Sequence, residues 1–92
     1  MEDGLSYKVI GAAIEVHKTL GGSGLLERVY ESCLCQELGH QGLNFKRQVY
    51  VPLKYKGVTC SELFYIDILV ENELIVEIRL LKRIIPCIKH SF

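Results

Sequence analysis

Residues 64–81 read FYIDILVENELIVEIRLL, and this stretch decides the fold. Apolar and polar positions alternate on both sides of Glu71-Asn72-Glu73, within a run rich in β-branched and aromatic residues. That pattern predicts a β-hairpin whose loop is the three polar residues. Val70 then pairs with Leu74, Leu69 with Ile75 and Ile68 with Val76. Continuing the ladder sets Asp67 against Glu77, Ile66 against Ile78, Tyr65 against Arg79 and Phe64 against Leu80. A slip of one residue would set apolar side chains against Asp67 and Arg79 on both faces, so this register is favoured.

The register puts two carboxylates opposite each other, their side-chain roots roughly 5 Å apart, with a guanidinium beside them. Like charges so placed repel unless a divalent cation or a basic group lies between them. The plainer reading is a solvated hairpin face, since surface charge pairs are common and weak.

Working outward, the chain of 92 residues predicts a single domain over 1–92, with a core that is adequate but not generous. It is 49% hydrophobic and 24% charged, which places it among globular rather than disordered sequences. No apolar run approaches the roughly 20 residues of a membrane span. The acidic start Met1-Glu2-Asp3-Gly4 is unlike a secretory signal. A soluble, cytoplasmic protein without membrane contact is the expectation. Cys33, Cys35, Cys60 and Cys87 form no CxxC pair and have no His-x-x-x-His partner. They read as reduced thiols acting as small hydrophobes. The formal net charge is zero. Residues 1–43 carry three basic residues against six acids, and residues 44–92 carry eight against five. The basic second half permits a polyanion surface without demanding one.

Before the hairpin, two helices are expected. Leu5 to Leu20 shows a broad apolar face, with Ser6 as N-cap and Gly21-Gly22 as a left-handed end. A second helix restarts at Ser23-Gly24, with Leu26, Val29, Tyr30, Cys33, Leu34 and Leu38 as its buried stripe. Glu27 falls at the border of that stripe in the first turn, where a carboxylate either helps the helix start or points inward at a sheet. Leu43 to Tyr55 reads as extended, with Pro52 marking an edge or bulge and Lys56-Gly57 a turn. After Leu81 the pattern loosens. The order predicts an α+β domain: two helices, then three or four mostly antiparallel strands. No Gly-rich phosphate loop and no Ser/His/Asp set is present.

The stretch GAAIEVHKTLGGSGLLERVYESCLCQEL, followed by RQV, YKG and YIDILVENELIVEIR, resembles the GxxExxY protein family. Gly24-Leu25-Leu26-Glu27-Arg28-Val29-Tyr30 is that signature, and the resemblance runs from about Leu5 to Pro86. The family is a branch of the PD-(D/E)XK, restriction-endonuclease-like nucleases. The resemblance implies an α-β-β-β-α-β (α/β) core and phosphodiester hydrolysis with Mg²⁺ (or Mn²⁺) held by Glu27, Asp67 and Glu77. It puts Arg79 where the family pattern has the catalytic Lys. Arginine keeps the charge but is planar and permanently protonated, which should cost chemistry more than fold. Cys87 to Phe92 does not resemble the family's continuation into a further helix and strand, so a C-terminally truncated domain with impaired or absent cleavage is expected. Nucleic acid, more DNA than RNA, is the implied partner, with Lys46, Arg47, Gln48, Lys54 and Lys56 as candidate contacts. Two rival readings are a non-catalytic nucleic-acid-binding module and a structural domain that forms a homodimer through surface left uncovered.

Overall fold

A computed structural model describes residues 4–21 and 26–88. The first helix, α1, spans Gly4–Leu20 and buries Val9, Ala12, Ala13 and Val16. Ser6 therefore lies inside the helix rather than at its cap. Gly21 ends it at φ +83°, a left-handed conformation that glycine adopts without strain, and its N–H donates to the His17 carbonyl. Gly22, Ser23, Gly24 and Leu25 lie outside the described residues.

Helix α2 spans Glu27–His40 and buries Tyr30, Glu31, Leu34, Cys35 and Leu38. The expected stripe is thus rotated toward Glu31 and Cys35. Leu26 is 76% exposed, and Val29 is exposed as well. Tyr30 is fully buried, and its hydroxyl donates to the Ala13 carbonyl of α1 at 3.4 Å. Burial raises the Tyr30 phenol above its ordinary pKa of 10.0, because the charged form is the one that loses water.

Strands β1 (Phe45–Tyr50), β4 (Tyr65–Val70) and β5 (Leu74–Val76) form an antiparallel sheet in the order β1-β4-β5. Between them β2 (Lys54–Tyr55) and β3 (Val58–Thr59) make a separate ribbon. Its turn is Lys56-Gly57, both residues at positive φ, as the sequence predicts. Strand β1 stops before Pro52, which cannot donate to a ladder. Along β4, Ile66, Ile68 and Val70 are buried while Tyr65, Asp67 and Leu69 are not, a period-2 pattern with one covered face.

The central hairpin has the expected loop and register: Val70 pairs with Leu74, Leu69 with Ile75 and Ile68 with Val76. There the expectation ends. The Asp67–Glu77, Ile66–Ile78, Tyr65–Arg79 and Phe64–Leu80 pairs do not form, because β5 stops at Val76 and a third helix, α3, spans Ile78–Ile88. Residues 74–80 satisfy both periods, but the Leu80-Leu81 doublet breaks the alternation. Helical spacing instead buries Ile78, Leu81 and Ile85 in the core shared with α1 and α2. The loosened end expected after Leu81 is this amphipathic helix, which tolerates Pro86 close to its last residue.

Candidate functional site

The end of β5 sets up the site. Glu77 accepts the first bond of α3, from the Leu81 N–H at 3.0 Å. The next orphan donor, the Ile78 N–H, is capped by Asp67 Oδ2 at 2.9 Å. A carboxylate at a helix N-terminus is stabilised by the helix dipole as well as by the hydrogen bond. Half-buried Asp67 is therefore held in place by α3 rather than by a partner acid across the hairpin.

Beside that cap lies an open cleft of about 570 Å³, lined by Glu27, Arg28 and Glu31 of α2, Arg47 and Gln48 of β1, and Asp67. Glu31 is the anchor. Arg47 Nε donates to Glu31 Oε2 at 2.9 Å, and Arg47 Nη2 donates to Ser32 Oγ at 3.3 Å. The Gln48 amide reaches both Glu31 oxygens, at 3.3 and 3.4 Å. The Glu31 side chain is 8% exposed and that of Arg47 40% exposed, so the pair runs from the protein interior to the cleft wall. The Glu31 hydrogen bond raises the already high pKa of Arg47 further. Burial pushes the neighbouring Cys35 thiol up from 9.0, with Arg47 opposing and Glu31 reinforcing the shift. Cys35 is thus a buried neutral thiol, and Cys33, Cys35 and Cys60 are all free.

Gln48 has φ +51° in mid-strand, opposite Asp67 in the β1–β4 ladder, between the paired positions Arg47–Ile68 and Val49–Ile66. A non-glycine residue held there costs about 1–3 kcal/mol, and such strain gathers at functional sites. At this position the amide meets Glu31.

The sequence-predicted residues divide among several places. Glu27, Asp67, Arg47 and Gln48 line the cleft. Arg79, in the first turn of α3, pairs with Glu27 at 3.5 Å across an exposed gap, a contact of small worth in water. Glu77 instead lines a separate apolar groove with Val9, Ile10, Leu74, Leu80 and Ile84. Lys46 borders a small hollow beside the hairpin loop. Lys54 and Lys56 sit on the exposed β2–β3 ribbon, with the Lys56 ammonium 5.4 Å from the Tyr55 ring centre.

Among the described residues no three His, Cys, Asp or Glu side chains gather as ligands of one ion would. Divalent hard cations want several converging oxygens. Here Asp67 binds the Ile78 N–H, Glu31 binds Arg47 and Gln48, and Glu27 faces Arg79. In this arrangement each of these acids has a partner within the protein, and they do not converge on one point.

Glu31 is the site residue that sequence reasoning misses. Its signal was its place one step after Tyr30 and four before Cys35, on the flank of a stripe drawn too far toward Leu26.

No described helix is long and apolar enough to cross a membrane. No curated protein and no solved structure matches the chain. A family model described as the PD-(D/E)XK nuclease superfamily matches residues 3–90, and nucleases of that superfamily generally use divalent metal ions. With nearly its whole length matched, and with an α+β architecture consistent with that fold, the chain belongs to the PD-(D/E)XK nuclease superfamily.

Proposed function

We propose that the chain is a nuclease-like domain of the GxxExxY branch whose cleft takes a nucleic-acid backbone, DNA more than RNA, and cleaves it poorly or not at all. One observation carries this reading. The cleft holds three acids and two arginines, and each acid is already engaged, by Arg47 and Gln48, by Arg79, or by the Ile78 N–H. Mg²⁺ (or Mn²⁺) is the ion that an active relative of this kind would take at Glu27, Asp67 and Glu77. That Glu77 lines the apolar groove rather than the cleft supports weak or absent cleavage. Arg47, Gln48 and Arg28 supply donors for phosphate oxygens, and a guanidinium presents a planar fork matched to phosphate. Lys46, Lys54 and Lys56 would extend the contact as diffuse positive charge.

The test is a cleavage assay on single- and double-stranded DNA with Mg²⁺, with Mn²⁺ and with chelator. Wild type is expected to leave both substrates largely or wholly intact in all three, and Arg79→Lys to give no gain. Restoring the motif lysine does not bring Glu77 into the cleft. Rapid metal-dependent cleavage by wild type, or a clear gain of it in Arg79→Lys, would make the site a working nuclease centre and overturn the reading.

A second reading, a structural domain that pairs with its own copy, draws on exposed Ile75, Leu80 and Ile84 beside the open edge of β5. It requires assembly that grows with concentration and indifference to nucleic acid.

A further inference from the structure

Glu31 is an acid in a cleft proposed to receive a polyanion, and simple electrostatics makes it a liability there. Its geometry says otherwise. It is the buried acid of the cleft, 6% exposed, and its two oxygens take three hydrogen bonds from Arg47 and Gln48. Both donors come from adjacent residues of β1, and the second is turned to Glu31 by a backbone in the left-handed region. Ser32, the next residue of α2, takes the Nη2 edge of the same guanidinium. Two consecutive residues of one element thus fix the Nε and Nη2 edges of Arg47, while 40% of its side chain stays exposed along the cleft.

We propose that Glu31 is a positioning residue: it holds the Arg47 guanidinium and the Gln48 amide in the orientation that receives a phosphodiester group. The inference rests on the nucleic-acid reading above and adds to it the part that organises the contact. An arginine fixed before its ligand arrives loses less side-chain freedom on binding than a mobile one. Glu31 contributes by fixing that geometry, although its own charge repels the ligand.

The two effects have opposite signs, so one substitution separates them. Glu31→Gln keeps the shape and removes the negative charge. If Glu31 acts only by its charge, this variant binds a polyanion more tightly. If it positions Arg47, the variant binds more weakly, by roughly tenfold, the lower range for losing a charge-assisted hydrogen bond. The experiment measures fluorescence anisotropy of a labelled 20-nucleotide DNA, single- and double-stranded, with the full chain in chelator across a salt series. Wild type, Glu31→Gln, Arg47→Gln and the double variant are compared, each checked for folding by circular dichroism. The expected result is weaker binding for Glu31→Gln, a shallower salt dependence by about one phosphate contact, and no further loss in the double variant.

Should Glu31→Gln fail to fold, Arg47→Lys carries the test, since Arg47 is at the surface. It keeps the charge but loses the fork, and is expected to bind nearly as weakly as Arg47→Gln. Equal or tighter binding by Glu31→Gln, or wild-type affinity in Arg47→Lys, overturns the positioning role while leaving nucleic-acid binding intact. Wild type that binds neither DNA overturns the nucleic-acid reading itself, and the inference with it.

Discussion

Tyr30→Ala is expected to cost the chain a large part of its stability. Tyr30 is fully buried between the helices, packed in the cluster with Ala12, Ala13, Leu34 and Leu38, and it ties α2 to α1 through the Ala13 carbonyl. Removing a buried aromatic ring costs about 3–5 kcal/mol, from lost transfer energy plus the cavity left behind. Natural domains have roughly 5–15 kcal/mol of stability, and one of this size has a limited core to draw on. The melting temperature should fall by about 12 °C or more, read by circular dichroism. Tyr30→Phe removes only the hydroxyl of a long hydrogen bond and should cost about 1 kcal/mol or less. A melting temperature for Tyr30→Ala within a few degrees of wild type would mean that the α1–α2 packing is not as described.

The second large effect separates the helix at 78–88 from the strand that the sequence pattern suggests. In α3, Leu81 is 7% exposed and Leu80 is 55% exposed. An extended hairpin would instead put Leu80 on the apolar face, opposite Phe64. Leu81→Lys would place a charge in the core beside Ile78 and Ile85 and should destabilise by more than about 3 kcal/mol. Leu80→Lys puts the charge where water reaches it and should stay within about 1 kcal/mol of wild type. Urea unfolding of the two variants reads the difference directly. A severe loss for Leu80→Lys with a mild one for Leu81→Lys would restore the long strand and with it the Asp67–Glu77 pair.

This contrast also shows why part of the fold was legible and part was not. The hairpin loop and its three pairs could be read because a slip would turn β4's apolar set, Ile66, Ile68 and Val70, to the wrong face. The Lys56-Gly57 turn and the Gly21 helix end were readable for a local reason, the demand for positive φ. The strand-to-helix switch after Val76 was not, since Val76, Ile78 and Leu80 fit period 2 as well as Ile78, Leu81 and Ile85 fit period 3.6. Burial against α1 and α2, a long-range matter, decides between them.

The candidate site divides in the same way. Glu27 and Asp67 were picked out by motif, and both line the cleft. Glu77 comes from the same motif, and its pairing with Asp67, read by extending the ladder past its end, fails with the strand. Glu31 carries no local mark. Its burial and its bonds to Arg47 and Gln48 depend on the rotation of α2 and on a left-handed residue in mid-strand. Neither is written in the period of the sequence.

The measurement that bears most directly on the cleft as a phosphate-binding surface is DNA affinity in chelator between 50 and 200 mM salt, for wild type and Arg47→Gln. Releasing counterions from even a few phosphates makes log affinity fall linearly with log salt, by about 0.9 per contact on duplex DNA. The account predicts such a slope for wild type without metal, and a weaker, shallower line for Arg47→Gln. Binding that requires Mg²⁺, or a slope that Arg47→Gln leaves unchanged, would contradict it.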